Sequence, residues 1–195
     1  MITKNFKITI EYDGTSYCGW QIQKNETTVQ GVIKKTLEKI IKKDNINVIG
    51  SGRTDSGVHA LGQVFNVKLD TKMDENQVLK AMNSKLPKDI RVTFSEIVGD
   101  DFNARFSALD RSYVYKIKKT ESPFDYKYYW SYPYDYNLDT LEECAKIVLK
   151  QKDFYNFCKP SSDIDNYNCF INRSSWTIDN KILIYRISAN RFLHH

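Results

Sequence analysis

One run of this chain gathers residue types that could do chemistry: Gly50-Ser51-Gly52-Arg53-Thr54-Asp55-Ser56-Gly57-Val58-His59-Ala60. It sets one carboxylate and one guanidinium among three glycines. Glycine suits backbone that must turn sharply or approach a ligand closely. A carboxylate beside a cation is held ionised, because the cation lowers its pKa. Such an Asp55 could act as a nucleophile or a general base, with Arg53 as its charge partner. The same residues also suit a plainer arrangement, in which Asp55 caps the turn and Arg53 pairs with it on the surface. Spacing alone leaves both readings open.

The elements that must position this run are legible on either side. Asn47-Val48-Ile49 reads as the end of a short strand. Gly62-Gln63-Val64-Phe65-Asn66-Val67-Lys68-Leu69 alternates apolar and polar, as a half-buried strand does. Upstream, Phe6 to Tyr12 alternates strictly and meets Asp13-Gly14, so it predicts a strand ending in a turn. From Thr28, apolar residues at Val29, Val32, Ile33, Leu37, Ile40 and Ile41 predict a helix capped by Thr27 or Thr28. A second helix is predicted from about Asp74, with Val78, Leu79, Met82 and Leu86 on one face and Pro87 marking its end. Ile90 to Val98 is a further alternating strand. The order strand, helix, strand, strand, helix, strand is that of a ferredoxin-like α+β half, an antiparallel sheet with both helices on one face.

The remainder reads as a related but incomplete half. Arg111 to Ile117 alternates, with Tyr128 to Tyr132 as its candidate partner strand. A helix over Leu138 to Lys150 is expected to turn Leu141, Cys144, Ala145 and Val148 inward. Asn172 to Ile178 and Ile182 to Ser188 predict a hairpin through Asp179-Asn180. The expected organisation is thus two RRM-like halves, residues 1–104 carrying the loop 50–60 and residues 105–195 lacking a last helix and strand, joined through Asp100 to Asp110.

Composition narrows the function classes. A hydrophobic fraction of 41% is globular rather than disordered. No apolar run reaches the roughly eighteen residues of a membrane helix, and the start lacks a signal-peptide core, so a soluble, cytoplasmic protein is expected. The four cysteines form no C-x-x-C pair and the three histidines no metal spacing, so no zinc site and mostly buried, reduced thiols are expected. His194 and His195, as chain neighbours, are poorly placed to chelate one ion and read as structural. A net charge of +5 is a modest excess, compatible with RNA as a partner, and thirteen tyrosines offer faces for bases to stack on. Tyr113 and Tyr115 share a strand face as stacking rings do, though core packing is the commoner use of such a pair, and the Tyr126 to Tyr136 cluster also reads as packing.

With these residues laid out, the chain resembles the TruA family of tRNA pseudouridine synthases. Gly52 to Ala60 is similar to that family's G-R-T-D-x-G-V-H-A signature. The resemblance extends through Tyr12-Asp13-Gly14, Gly19-Trp20-Gln21, Thr28-Val29-Gln30, Gly62-Gln63-Val64 and Leu86-Pro87-Lys88-Asp89-Ile90. It continues through Phe102 to Ala108, Arg111-Ser112-Tyr113-Val114-Tyr115 and Asp153 to Cys158, in order along nearly the whole chain.

The resemblance implies conversion of uridine to pseudouridine in the tRNA anticodon arm, at positions 38, 39 and/or 40, without metal or cofactor. It assigns Asp55 as the essential aspartate, Arg53 to displacing the target base, and Tyr113 to stacking on the flipped uracil. Thr54 and His59, within the signature, join Arg53 in substrate binding. It also implies a homodimer, with tRNA lying across a basic cleft. In the family the Leu-His-His run continues into Met-Val-Arg, whose arginine pairs with the aspartate. This chain stops at His195, so it is read as lacking that segment.

Two other classes compete. A non-catalytic RNA-binding module with an RRM-like sheet would use Tyr113 and Tyr115 and isomerise nothing. A small-molecule hydrolase with an aspartyl nucleophile ranks last, lacking a second carboxylate motif, a metal set or a phosphate loop.

Overall fold

In the computed structural model, which describes residues 2–158 and 166–193, the alternation near the N-terminus becomes β1 (Thr3–Tyr12). Its even-numbered residues Phe6, Ile8, Ile10 and Tyr12 are buried, as a period of two dictates when one face meets a core. α1 (Val29–Ile41) starts where the Thr28 hydroxyl accepts the Gly31 N–H at 3.3 Å, and it stops where Lys42 turns left-handed at φ 56°. It buries Val29, Ile33 and Leu37, one residue per turn. β2 (Val48–Gly50) and β3 (Ala60–Asp70) flank the glycine loop. α2 (Glu75–Asn83) opens in a capping box, with Asp74 accepting the Gln77 N–H at 2.8 Å and Gln77 accepting the Asp74 N–H at 2.9 Å. β4 (Ile90–Val98) completes an antiparallel sheet of order β2-β3-β1-β4.

Both helices enter one core cluster with the inner residues of the sheet, including Phe65, Val67 and Leu69 of β3 and Ile90 and Val92 of β4. Each fully buried Ile, Leu, Val or Phe is worth roughly 1.5–3 kcal/mol over an exposed one, so this cluster dominates the stability of the half. Buried amides then tie down the chain that follows β4. Asn5 Nδ2 donates to the Gly99 and Phe102 carbonyls at 2.9 and 3.0 Å, and Asn66 Oδ1 accepts the Ala104 N–H at 2.8 Å. The two side chains meet each other at 3.0 Å, so their polar groups are satisfied out of water.

By its contacts the chain divides into two compact units, Met1–Ala108 and Leu109–His195. The second contains β5 (Arg111–Lys118), β6 (Trp130–Ser131), α3 (Leu138–Lys150), β7 (Ile171–Asp179) and β8 (Ile182–Ala189), in sheet order β6-β5-β8-β7. The series β5-α3-β7-β8 repeats β1-α1-β2-β3, and β6 takes the edge that β4 holds in the first unit. Each unit is the ferredoxin-like α+β arrangement, carried less far in the second. Among the described residues the second unit has one α-helix where the first has two.

Several local expectations need correction. The partner expected over Tyr128 to Tyr132 shrinks to two residues and runs parallel to β5, pairing Ile117 with Trp130. The chain between them is a loop of successive turns rather than a tight hairpin, so it returns in the same direction. The hairpin turn lies at Asn180 (φ 47°) and Lys181 (φ 68°), one residue later than expected, because a two-residue primed turn needs both central residues at positive φ. On α3 only Ala145 is buried, Leu141 and Val148 are half-buried, and Cys144 is exposed. Of the thiols only Cys169 is buried, and burial raises its pKa. His194 and His195 lie outside the described residues.

Candidate active site

β2 and β3 pair antiparallel, with Gly50 opposite Phe65, and the loop between them opens where that ladder stops. The Ser51 N–H extends the pairing by one bond, to the Val64 carbonyl at 2.8 Å. Gln63 then grips the start of the loop: its amide donates to the Gly52 carbonyl at 2.8 Å and accepts the Ser51 hydroxyl at 3.1 Å. At the far side, Val58 N–H bonds the Asp55 carbonyl at 3.2 Å, closing a four-residue turn with Gly57 at φ 78°. Positive φ at the third position is what a type II turn requires, and glycine adopts it without strain.

The underside of this loop rests on residues 12–20. The Thr54 carbonyl accepts the Trp20 N–H at 3.0 Å, and its hydroxyl meets the Tyr12 hydroxyl at 2.8 Å. The Tyr17 carbonyl receives the Gly57 N–H at 3.2 Å and the Ser56 hydroxyl at 3.3 Å. Nδ1 of His59 accepts the Gly14 N–H at 3.1 Å and lies 3.1 Å from a carboxylate oxygen of Asp13. Gly14 approaches so closely that a Cβ there would fall 2.0 Å from the Val58 carbonyl oxygen. The indole of Trp20, 2% exposed, lies between Tyr12 and Phe65 at ring separations of 6.4 and 6.3 Å and packs on Gly50.

A further layer holds this support in place. The Tyr17 hydroxyl donates to Asp89 at 2.7 Å, and the Asp13 N–H reaches the Asp89 carbonyl at 2.9 Å. Burial, and then the Asp89 carboxylate, push the Tyr17 phenol well above the ordinary tyrosine pKa. Gln30 bridges the Ile22 N–H and the Val48 carbonyl at 3.0 and 2.9 Å, tying α1 to β2.

Arg53, Thr54, Asp55 and His59 therefore share one buttressed loop, but in two classes. Thr54 and His59 bond protein groups beneath the loop. Arg53 and Asp55 are exposed on either side of the anchored Thr54. Among the described residues no ion pair joins them, contrary to the expected charge partnership. In water such a contact gains little over two hydrated ions. An exposed carboxylate on a rigid turn can still attack or take a proton, because its backbone is fixed and its oxygens are accessible.

Tyr113 belongs to the second unit, on β5 opposite Ile187. The residue is 38% exposed, and its ring meets Phe192 edge-on at 5.0 Å. The tyrosine cluster read as packing is largely on the surface instead, with Tyr126, Tyr128, Trp130 and Tyr134 all exposed. Sequence reasoning missed the buttress of Tyr12, Gly14, Trp20, Gln63 and Asp89. Their one signal was membership of the short motifs around the loop.

Comparison with known proteins adds an independent finding. A family model described as tRNA pseudouridine synthase matches residues 8–107. A protein called tRNA pseudouridine synthase A from Caldicellulosiruptor saccharolyticus is 38% identical over 199 residues, covering 98% of this chain and 79% of the relative. One of the same description from Hydrogenobaculum sp. is 39% identical over 201 residues, covering 98% and 80%. Another, from Lacticaseibacillus casei, is 42% identical over 155 residues, covering 78% and 63%.

Proposed function

The chain belongs to the tRNA pseudouridine synthase family, an isomerase family acting on tRNA, and from that premise we propose that Asp55 is its catalytic carboxylate. The observation that carries this reading is the contrast within the loop. Backbone and side chains around Asp55 are bonded to residues 12–20, while the carboxylate itself is left exposed on the rigid bend.

The reaction breaks the bond between N1 of uracil and C1′ of the ribose and forms one between C5 and C1′. N1 gains a proton and C5 loses one, so nothing is oxidised or reduced. Asp55 serves as nucleophile or as charge partner to the detached sugar and base. We assign the substrate uridines to positions 38, 39 and/or 40 of the anticodon arm. A uridine paired in a stem must leave it to be reached, at a cost of a few kcal/mol, and an inserted side chain offsets part of that. Arg53, exposed two residues from Asp55, is assigned that insertion. Tyr113, 38% exposed on β5, is assigned to stacking on the displaced uracil. Thr54 and His59 shape the loop that meets the nucleotide. The same reading has the enzyme act as a homodimer, in the cytoplasm, without metal or cofactor.

The test is release of tritium from tRNA labelled at uridine C5. Asp55→Asn should lower the rate by roughly 10²–10³ or more, the scale for losing one group that stabilises charge at the reacting atoms, while tRNA affinity stays within about threefold of wild type. Release at the wild-type rate by this variant would remove Asp55 from the chemistry.

A further inference from the structure

The edge of the second sheet carries an aromatic array that the proposed reaction does not use. The rings of Tyr115, Trp130, Tyr132 and Tyr134 follow one another at centroid separations of 6.1, 5.1 and 5.3 Å. Successive planes are inclined at 56°, 46° and 66°, so the rings meet tilted or edge-on rather than in a parallel stack. Tyr115, Trp130 and Tyr134 are 54%, 50% and 68% exposed. Beside them lies a cleft of about 620 Å³, lined by Lys118, Pro123, Tyr126, Tyr129 and Trp130 among others. Ammonium groups crowd the same surface. Those of Lys116 and Lys118 stand 5.6 and 4.5 Å from the centre of the Tyr129 ring, and that of Lys119 stands 5.5 Å from Tyr136. Lys118 and Lys119 also hold Asp125 and Asp135, which fixes their position but lowers the local positive charge.

A strip of exposed rings this continuous is unlike the scattered apolar residues of an ordinary surface. Its chemistry is aromatic and polar rather than aliphatic, with Lys116, Lys118 and Lys119 standing beside Glu121, Asp125 and Asp135. Open ring faces beside lysines are how proteins bind unpaired nucleotides: bases stack on the rings and ammonium groups sit near phosphates. A cleft of several hundred Å³ is ample for a nucleoside.

We propose that this strip, from Tyr115 to Tyr134, is a second RNA-binding surface, on which unpaired nucleotides of the tRNA substrate stack against Trp130 and Tyr134. It rests on the family's tRNA substrate but not on the role of Asp55. Its contribution is to affinity and placement, so removing a ring should weaken binding without slowing the bound reaction.

The experiment uses the full chain with Trp130→Ala, Trp130→Phe and Tyr134→Ala, each checked for folding by circular dichroism. Affinities for unmodified tRNA and for a single-stranded oligouridylate are read by fluorescence anisotropy, and isomerisation at saturating tRNA is read by tritium release. Each alanine variant should weaken both RNAs roughly tenfold, the scale of one lost base stack. Trp130→Phe should restore most of the affinity, and the saturating rate should not change. Tyr134, with its ring largely in water, supplies the test if Trp130→Ala does not fold. Unchanged affinity in the folded alanine variants overturns the proposal. So does sedimentation showing that these rings hold two copies of the chain together while RNA binding persists. A wild-type chain that binds RNA through the strip yet isomerises no uridine would refute the proposed function and leave this surface standing.

Discussion

The two units share an order of elements but not a depth of packing. In the first, β1, β3 and β4 face two helices, and side chains such as Phe6, Ile8, Phe65, Leu37 and Met82 are at or below 1% exposure. Among the described residues of the second, the buried apolar set is smaller in number and in size: Ile117, Ala145, Cys169, Leu183, Ile184 and Ala189. Ile147, Phe157 and Phe170 stay more than half exposed, and an apolar cleft of about 450 Å³ runs beside α3, lined by Val148, Phe154, Ile171 and Tyr185 among others. The difference suits the work proposed for each. A carboxylate that must meet one atom of a nucleotide needs a bend held on every side, which only a dense core supplies. Rings that receive bases by stacking need area more than exact placement.

Four substitutions sharpen or break this contrast, beyond those at Asp55 and the aromatic strip. The largest effect is expected from Gly14→Ala, whose added methyl meets the Val58 carbonyl. The loop and its underlay must then part, and a displacement near 1 Å costs on the order of 10²-fold in rate. Tritium release would show this, and an active variant would mean the buttress does not govern Asp55. Next, Ile8→Ala should cost about 2–5 kcal/mol in urea unfolding, as deletions at closed core sites do. Ile147→Ala, at a residue 66% exposed, should stay within roughly 0.5 kcal/mol. Equal costs would erase the difference in packing.

A small, pH-dependent effect concerns Tyr17. Its phenol pKa is raised in the folded chain, chiefly by burial, so the fold favours the protonated form. That contribution is complete below about pH 10 and fades as pH climbs toward the raised value. Tyr17→Phe should therefore lose roughly 1 kcal/mol at neutral pH, and the gap to wild type should narrow above about pH 10. A gap that widened in alkali would contradict the Tyr17–Asp89 bond.

Periodicity made β1, β3, β4 and the helices α1, α2 and α3 legible, because each has a buried face with a regular spacing. It failed where that premise fails. α3 carries a full amphipathic pattern, yet Cys144 remains exposed because little covers that side of the helix. β6 is too short to have a period, and its parallel direction is set by the loop before it. The loop 50–60 was legible as a glycine-bearing bend between strands with Asp55 at its heart. Its support was not, since Tyr12 to Thr54 and Gly14 to His59 are contacts across more than forty residues that no local pattern encodes.

The indole seated on Gly50 and the bonds from residues 12–20 to residues 54–59 have one consequence for engineering. The signature is not a portable peptide. Transplanted alone into a foreign hairpin, it would leave the Thr54 carbonyl and the Gly57 amide to water and relax into many shapes. A graft that keeps its form has to carry the stretch from Tyr12 to Trp20 along with it, as two strips cut from one cloth.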